Sequence, residues 1–178
     1  MSTIKLNVPT ILTFSRIVLI PFFLLVTPQS PLLGIAIFLL ASLTDFLDGY
    51  LARRLGQITK FGMIIDPIAD KFLIISALVL LVDMVRLSIW IAVIIIVREF
   101  LVTGLRAVAL SKDIVIPAET GGKLKTAAQM TAIVFLLLPG SVVDIDFYDI
   151  GLMLMCIALV LAIVSGIQYT IAFWKKIQ

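Results

Sequence analysis

The sequence predicts an all-α, polytopic membrane protein with six transmembrane helices and a polar cavity on the cytoplasmic side. Of its 178 residues, 62% are hydrophobic and only 14% are charged, whereas soluble domains contain about half apolar and about a quarter charged residues. The mean hydropathy is +1.22. A single core of this size cannot bury so much apolar surface, so we expect the excess to face lipid. Residues 1–178 form one predicted domain, long enough for six spans of roughly 20 residues each.

Six apolar segments are separated by residues that favour turns. These residues include the Thr-Pro-Gln-Ser-Pro run at 27–31, Pro117, the Gly121–Gly122 pair and the Pro139–Gly140 pair. The predicted helices are 9–26, 31–53, 62–82, 88–110, 120–138 and 149–174. Residues 1–8 precede the first helix, alternate apolar and polar or cationic side chains, and are predicted to lie along the membrane surface.

The orientation follows from the basic residues, nine of which fall on one side of the predicted spans, whereas Arg86 falls in a loop on the other side. The nine are Lys5, Arg53, Arg54, Lys60, Lys112, Lys123, Lys125, Lys175 and Lys176. Because cytoplasmic loops carry the excess of lysine and arginine, both termini are predicted to be cytoplasmic. The isoelectric point of about 9.2 suits anionic lipid headgroups, and no soluble basic region favours a nucleic acid as partner.

The residue inventory limits the possible chemistry. The chain has no histidine and one cysteine, Cys156, which excludes a disulfide framework and a metal site built on histidine or cysteine. Any metal ion would therefore have oxygen ligands. A general base would be a carboxylate, a lysine or a tyrosine.

Four aspartates lie inside predicted spans, where a charged group is costly unless it has a partner or a function. Asp45 and Asp48 are three residues apart in the second span, and Asp66 and Asp70 are four apart in the third. Each spacing places a pair on one helical face, and a short hairpin brings the pairs to similar depth. Their mutual repulsion predicts bound hard cations, Mg²⁺, Mn²⁺ or Ca²⁺. Two such ions can clamp the oxygens of a phosphoryl transfer.

Small residues follow the first aspartate on the same helical stripe. Gly49 and Ala52 are four and seven residues after Asp45, so a flat group could approach the backbone there. Arg53 stands at the end of the stripe and is suited to a phosphate. The alternative interpretation is close helix packing through small residues.

These residues complete a known signature, D-x2-D-G-x2-A-R-x8-G-x3-D-x3-D, and on it the chain resembles the CDP-alcohol phosphotransferase family over essentially its whole length. The matching positions are Asp45, Asp48, Gly49, Ala52, Arg53, Gly62, Asp66 and Asp70. Three further segments resemble the branch that uses glycerol 3-phosphate as acceptor. They are Arg98-Glu99-Phe100 with Gly104-Leu105-Arg106, the 122–126 run with Gln129, and the start at 7–16. Many members carry an asparagine where this chain has Thr10.

The resemblance implies a metal-dependent phosphatidyl transfer in a bacterial cell membrane, by a homodimer with a cytoplasmic active site. Asp45, Asp48, Asp66 and Asp70 would bind Mg²⁺ or Mn²⁺, as two ions, and Asp70 would be the catalytic base. The acceptor hydroxyl would attack the β-phosphorus of CDP-diacylglycerol and expel CMP. The residues implied for CDP binding are Thr13, Thr44, Asp48, Gly49, Ala52, Arg53 and Gly62.

The acceptor of that branch, glycerol 3-phosphate, carries a dianionic phosphate and needs cations on the cytoplasmic side. The candidates are Lys60, Arg98, Arg106, Lys123 and Lys125. Arg106 could instead extend to lipid headgroups, and Lys123 and Lys125 could be ordinary positive-inside residues. Arg98 is deeper in its span and could instead pair with an acid in the bundle.

Three alternatives remain open from the sequence. The chain could be another enzyme of the family, with inositol phosphate, serine or phosphatidylglycerol as acceptor. It could be a cation-coupled transporter, although such proteins place their carboxylates near the midplane between internal repeats. The four aspartates could also pair structurally with intramembrane cations such as Lys71 and Arg98.

Overall fold

The computed structural model describes the backbone of residues 8–55, 60–112, 121–142 and 145–177. Side chains are described throughout these ranges, except at 8–14, 16, 45–55, 60–70, 110, 111, 121–123, 142, 145 and 177. This part of the chain is all-α apart from one two-stranded sheet.

The six helices predicted from the sequence are confirmed. They are α1 Val8–Val26, α2 Pro31–Leu55, α3 Lys60–Asp83, α4 Ile89–Ser111, α5 Gly121–Leu137 and α6 Phe147–Ile177. Their ends lie within three residues of the predicted ones, with the largest difference at the end of α6. The longest helix, α6, has 31 residues.

The connection between α5 and α6 contains a small hairpin that the sequence did not predict. Strand β1, Ser141–Val142, pairs antiparallel with β2, Ile145–Asp146. Gly140 precedes the hairpin with φ of 100°, a conformation that glycine adopts without steric cost. Its carbonyl accepts a hydrogen bond of 3.2 Å from the amide of Phe147. The hairpin thus joins the end of α5 to the first residue of α6.

The chain divides into two compact units, Met1–Leu80 and Leu81–Gln178. In the first unit α1 packs against α2. Phe23 and Phe38 are fully buried at this contact, with ring centroids 5.8 Å apart and an interplanar angle of 41°. The turn after α1 approaches α2 closely at Gly34, where an added Cβ would collide with the side chain of Thr27. Thr27 is itself buried, and its hydroxyl donates to the carbonyl of Phe23.

In the second unit α6 packs against both α5 and α4. The core of this unit includes the fully buried side chains of Ile95, Ile133, Leu136, Leu137 and Met155. The last carbonyls of a helix have no partner within the helix, and at the end of α5 an arginine supplies one. Arg86 Nη1 donates to the carbonyl of Leu136 at 2.7 Å and to that of Leu138 at 3.4 Å. Such a basic cap also interacts favourably with the helix dipole.

Large apolar side chains lie exposed along α1, α2, α4 and α6. Leu25 and Trp90 are 70% and 72% exposed. In the part of the chain that the structure describes, one helix is long and apolar enough to cross a membrane, Phe147–Lys176, with a mean hydropathy of 2.8. Shorter apolar stretches cover Ile17–Val26, Pro31–Thr44 and Leu124–Leu137.

The contact between α5 and α6 provides a test of this packing. A Cβ at Gly151 would lie 2.8 Å from both the backbone nitrogen and the Cγ of Leu136, so α6 would have to move away from α5. We expect Gly151→Ala to lower the free energy of unfolding by about 1–3 kcal/mol, as overpacking does. Denaturant titration of the purified protein in mixed micelles measures it.

Gly104→Ala is the matched control, because in the described part of the chain no atom beyond the adjacent helix backbone lies within 4 Å of a Cβ at that position in α4. This variant should be neutral, or more stable by up to about 1 kcal/mol, since alanine favours the helix. Equal losses of stability in the two variants would contradict close packing at Gly151.

Candidate active site

Two consecutive helices carry the four aspartates of the signature. Asp45 and Asp48 lie on α2, and Asp66 and Asp70 lie on α3. Residues 56–59 connect these helices. Asp48 is seven residues from the end of α2 and Asp66 is six from the start of α3, or about 10 Å in each case at 1.5 Å per residue. The nearer aspartate of each pair therefore stands on helical backbone about two turns from the connection, and the other stands nearly three turns from it.

Most of the predicted metal and CDP ligands lie outside the described side chains. They are Thr13, Asp45, Asp48, Gly49, Ala52, Arg53, Gly62, Asp66 and Asp70, together with the acceptor-site candidates Lys60 and Lys123. Among the side chains that are described, no three His, Cys, Asp or Glu residues form a group that could hold a metal ion. Metal binding and CDP binding by the residues above stay predictions.

Thr44 is the CDP-binding candidate whose side chain is described. It is half-buried one residue before Asp45. Its Oγ1 donates a 2.7 Å hydrogen bond to the carbonyl of Ala41. A hydroxyl that donates in this way still has lone pairs with which to accept a bond.

Arg98, a candidate for the acceptor site, crosses from α4 to α6. Its Nε donates to the carbonyl of Ala162 at 2.9 Å, and its Nη2 donates to Ser165 Oγ at 2.6 Å. Nη1 bonds to Glu99 Oε1 at 3.1 Å. Ser165 is buried, and the side chain of Arg98 is 14% exposed. All three nitrogens of the planar guanidinium thus donate hydrogen bonds to protein acceptors. Lysine could not reproduce this geometry.

Lys125, a second candidate, is joined to the same carboxylate from α5. Its Nζ forms a salt bridge with Glu99 Oε1, and the residue is 5% exposed. Glu99 thus bonds to one cation from its own helix and to one from α5. We call the three side chains, with Ser165, the ion network; it links α4, α5 and α6.

A glycine provides the space for the arginine. An added Cβ at Gly166 would stand 3.1 Å from Arg98 Cγ and 3.4 Å from its Nε. Gly166 follows Ser165 on α6, so the arginine lies over the helix where that helix has no side chain. The position of the ion network therefore depends on a residue that takes no part in its bonds.

Arg106, the third described candidate, lies two turns further along α4 and is exposed. Its Cζ is 5.8 Å from the ring centroid of Tyr169, a buried residue of α6. This is a cation–π arrangement. Stacking restricts the side chain while the guanidinium keeps its hydrogen-bond donors.

Gln129 is one helical turn after Lys125 on α5 and is 2% exposed. Its Nε2 is buried without a hydrogen-bond partner in the described part of the chain. A buried donor left without an acceptor costs about 1–3 kcal/mol. An amide in that situation is suited to an added acceptor, such as a ligand oxygen.

The sequence matches the model of the CDP-alcohol phosphatidyltransferase family over residues 6–164. The chain belongs to this family. It is 37% identical to a Bacillus subtilis protein, over 97% of each chain. It is 40% identical to a Haemophilus influenzae protein, over 93% of this chain and 92% of that one. A third relative, from Wigglesworthia glossinidia brevipalpis, is 35% identical over 97% and 98% of the two chains. All three relatives are named CDP-diacylglycerol–glycerol-3-phosphate 3-phosphatidyltransferase.

Two members of the ion network, Glu99 and Ser165, and the adjacent Gly166 were not among the site residues predicted from the sequence. Glu99 carried a usable signal, because it is a charged residue within an apolar span beside Arg98. Ser165 and Gly166 carried none, since a serine and a glycine are unremarkable in an apolar helix. The carbonyl of Ala162 gave no signal either, because every residue has a backbone carbonyl.

Replacing Arg98 tests the structural part of the network. Arg98→Leu removes three hydrogen bonds, and we expect the free energy of unfolding to fall by about 2–4 kcal/mol. Arg106→Leu removes an exposed arginine from the same helix whose contact among the described residues is with the Tyr169 ring, so the loss of stability should be below about 1 kcal/mol. Denaturant titrations of both variants in one micelle system make the comparison. Similar losses would contradict a structural role of the Arg98 contacts.

Proposed function

We propose that the protein transfers the phosphatidyl group of CDP-diacylglycerol to glycerol 3-phosphate, giving phosphatidylglycerophosphate and CMP. The observation that carries this proposal is the family membership together with the complete aspartate signature on α2 and α3. It is supported by relatives of that name which align over at least nine-tenths of both chains.

We place the enzyme in the membrane with six spans, both termini and the active site cytoplasmic. The exposed aliphatic side chains and the apolar length of α6 support a lipid environment. The basic residues support the orientation. A homodimer within a bacterial cell membrane completes the proposal and rests on the resemblance to the family.

The proposed metal site consists of Asp45, Asp48, Asp66 and Asp70. Its donor set is four carboxylates without histidine or cysteine, which fits Mg²⁺ or Mn²⁺. Two such ions, when bound, would neutralise the phosphates and acidify the acceptor hydroxyl. Thr13, Thr44, Gly49, Ala52, Arg53 and Gly62, with Asp48, would hold the cytidine diphosphate.

Asp70 is proposed to take the proton from the acceptor hydroxyl. The acceptor oxygen then forms a bond to the β-phosphorus of CDP-diacylglycerol, the bond from that phosphorus to the CMP oxygen breaks, and CMP leaves. A positioned base of this kind contributes about 10²–10⁴-fold to a rate.

The phosphate of the acceptor is proposed to bind Lys60, Arg106, Lys123 and Lys125. Direct contact of Arg98 with this phosphate remains a prediction from the sequence. Its geometry favours a different contribution, because its described bonds go to Ala162, Ser165 and Glu99.

The first test measures CMP release by purified protein with CDP-diacylglycerol and one acceptor at a time. We expect release with glycerol 3-phosphate, and none above background with serine, inositol phosphate or phosphatidylglycerol. Stripping divalent metal with EDTA should abolish turnover, and Mg²⁺ or Mn²⁺ should restore it, because four adjacent carboxylates repel one another without cations. Full turnover after stripping would contradict the metal site, and preference for another acceptor would contradict the substrate.

The second test concerns the base. Asp70→Asn keeps the size and one ligand oxygen but removes the base and a charge, so turnover should fall at least about 10²-fold while CDP-diacylglycerol still binds. Asp70→Glu should recover little of the lost turnover, since its longer side chain misplaces the carboxylate oxygen.

Asp83→Asn is the matched control for this test, because Asp83 is an exposed aspartate at the end of the same helix. Its turnover should stay within about twofold of the unsubstituted protein. Near-normal turnover of Asp70→Asn at saturating metal would overturn the assignment of the base.

A further inference from the structure

The ion network connects a fixed point on α6 to a lysine on α5. Arg98 is held by the Ala162 carbonyl and by Ser165 of α6, and it bonds in turn to Glu99. The same oxygen of Glu99 bonds to Lys125. Each of these hydrogen bonds and ion pairs involves at least one charged side chain. The position of the Lys125 ammonium is therefore tied through Glu99 to the backbone of α6.

A buried lysine needs such a connection more than an exposed one does. Its charge sits on a flexible four-carbon chain, and side-chain packing alone sets no direction for the ammonium group. Lys125 is 5% exposed, so little water is present to stabilise it, and a charge in that environment requires a partner. Glu99 meets both needs, because it neutralises the ammonium and fixes its location.

We propose that Glu99 is a positioning residue of the acceptor site, which holds Lys125 where it contacts the phosphate of the acceptor. This inference rests on the proposed function, in which Lys125 is a phosphate contact, and it adds a residue to which the sequence assigned no role. Glu99 acts through the lysine, since a carboxylate would repel a phosphate directly.

The buried amide of Gln129 independently supports a ligand on this side of α5. Lys125 and Gln129 are four residues apart and therefore lie on one face of the helix. Both are buried, and Gln129 Nε2 has no hydrogen-bond partner in the described part of the chain. A phosphate oxygen is an acceptor that such a donor can use. The helix thus presents a cation and an amide donor to the same side.

Replacing the carboxylate should affect the acceptor and spare the lipid substrate. Glu99→Gln keeps the shape of the side chain but removes its charge, so Arg98 and Lys125 repel each other and the ammonium moves. Because small misplacements of a substrate contact are costly, KM for glycerol 3-phosphate should rise about tenfold or more. KM for CDP-diacylglycerol should stay within about twofold.

A double-mutant cycle with Lys125→Met distinguishes positioning from a general structural effect. If Glu99 acts through Lys125, Glu99→Gln should raise KM for glycerol 3-phosphate by less than about twofold in the Lys125→Met protein. Glu99→Asp retains the charge on a shorter side chain and should raise KM for glycerol 3-phosphate less than Glu99→Gln does. This variant keeps the test possible if Glu99→Gln fails to fold. Thr27→Val is the control for loss of a buried polar group outside the network, and its two KM values should not change.

The outcomes separate this inference from the proposed function. Product formation from glycerol 3-phosphate by the unsubstituted protein tests the function alone. If that succeeds, an unchanged KM for the acceptor in Glu99→Gln overturns the positioning role. The role is also overturned by an equal rise in the Lys125→Met background, or by equal rises for both substrates. If the enzyme takes another acceptor, the cycle is measured with that molecule, and an acceptor without a phosphate overturns both proposals.

Discussion

A charged side chain within an apolar helical unit must find a partner, and in this protein that requirement falls on Glu99. Its carboxylate bonds to Arg98 on the same helix and to Lys125 on α5, while Arg98 continues to α6. The hydrophobic effect between apolar helix faces is non-directional. Hydrogen bonds to a planar guanidinium are directional. The ion network therefore joins α4, α5 and α6 by directional contacts, and Gly166 makes the space in which it can form.

The helices could be predicted from the sequence because two signals agreed along the chain. Apolar runs alternate with connections, most of which contain proline or glycine, and the resulting ends were right to within three residues. The hairpin of β1 and β2 was missed for a physical reason. Strands of two residues are too short to show an alternating pattern, and their pairing depends on Gly140 turning the chain.

The candidate site was predictable where a residue is anomalous by itself. Asp45, Asp48, Asp66 and Asp70 stand out because a carboxylate within a span is costly. The same rule applied to Glu99 indicates a partner; one partner is its neighbour Arg98, but the other, Lys125, belongs to another helix, 26 positions away. Contacts that depend on tertiary structure could not be predicted from the sequence. The Ala162 carbonyl is an acceptor for Arg98 only because α4 and α6 cross there.

The ion network also has a consequence for how the chain is made. With the protein in a bilayer as proposed, α4 brings Arg98 and Glu99 into the hydrocarbon before α5 and α6 exist. Insertion scales put the cost of a charged residue at the centre of a span at about 2.5–3.5 kcal/mol, and pairing of these two neighbours offsets part of it. Lys125 follows roughly two dozen residues later, and Ser165 arrives only with the last helix. During translation α4 is thus inserted before its polar partners have been made. Its packing is completed only when the C-terminal helix has been synthesised.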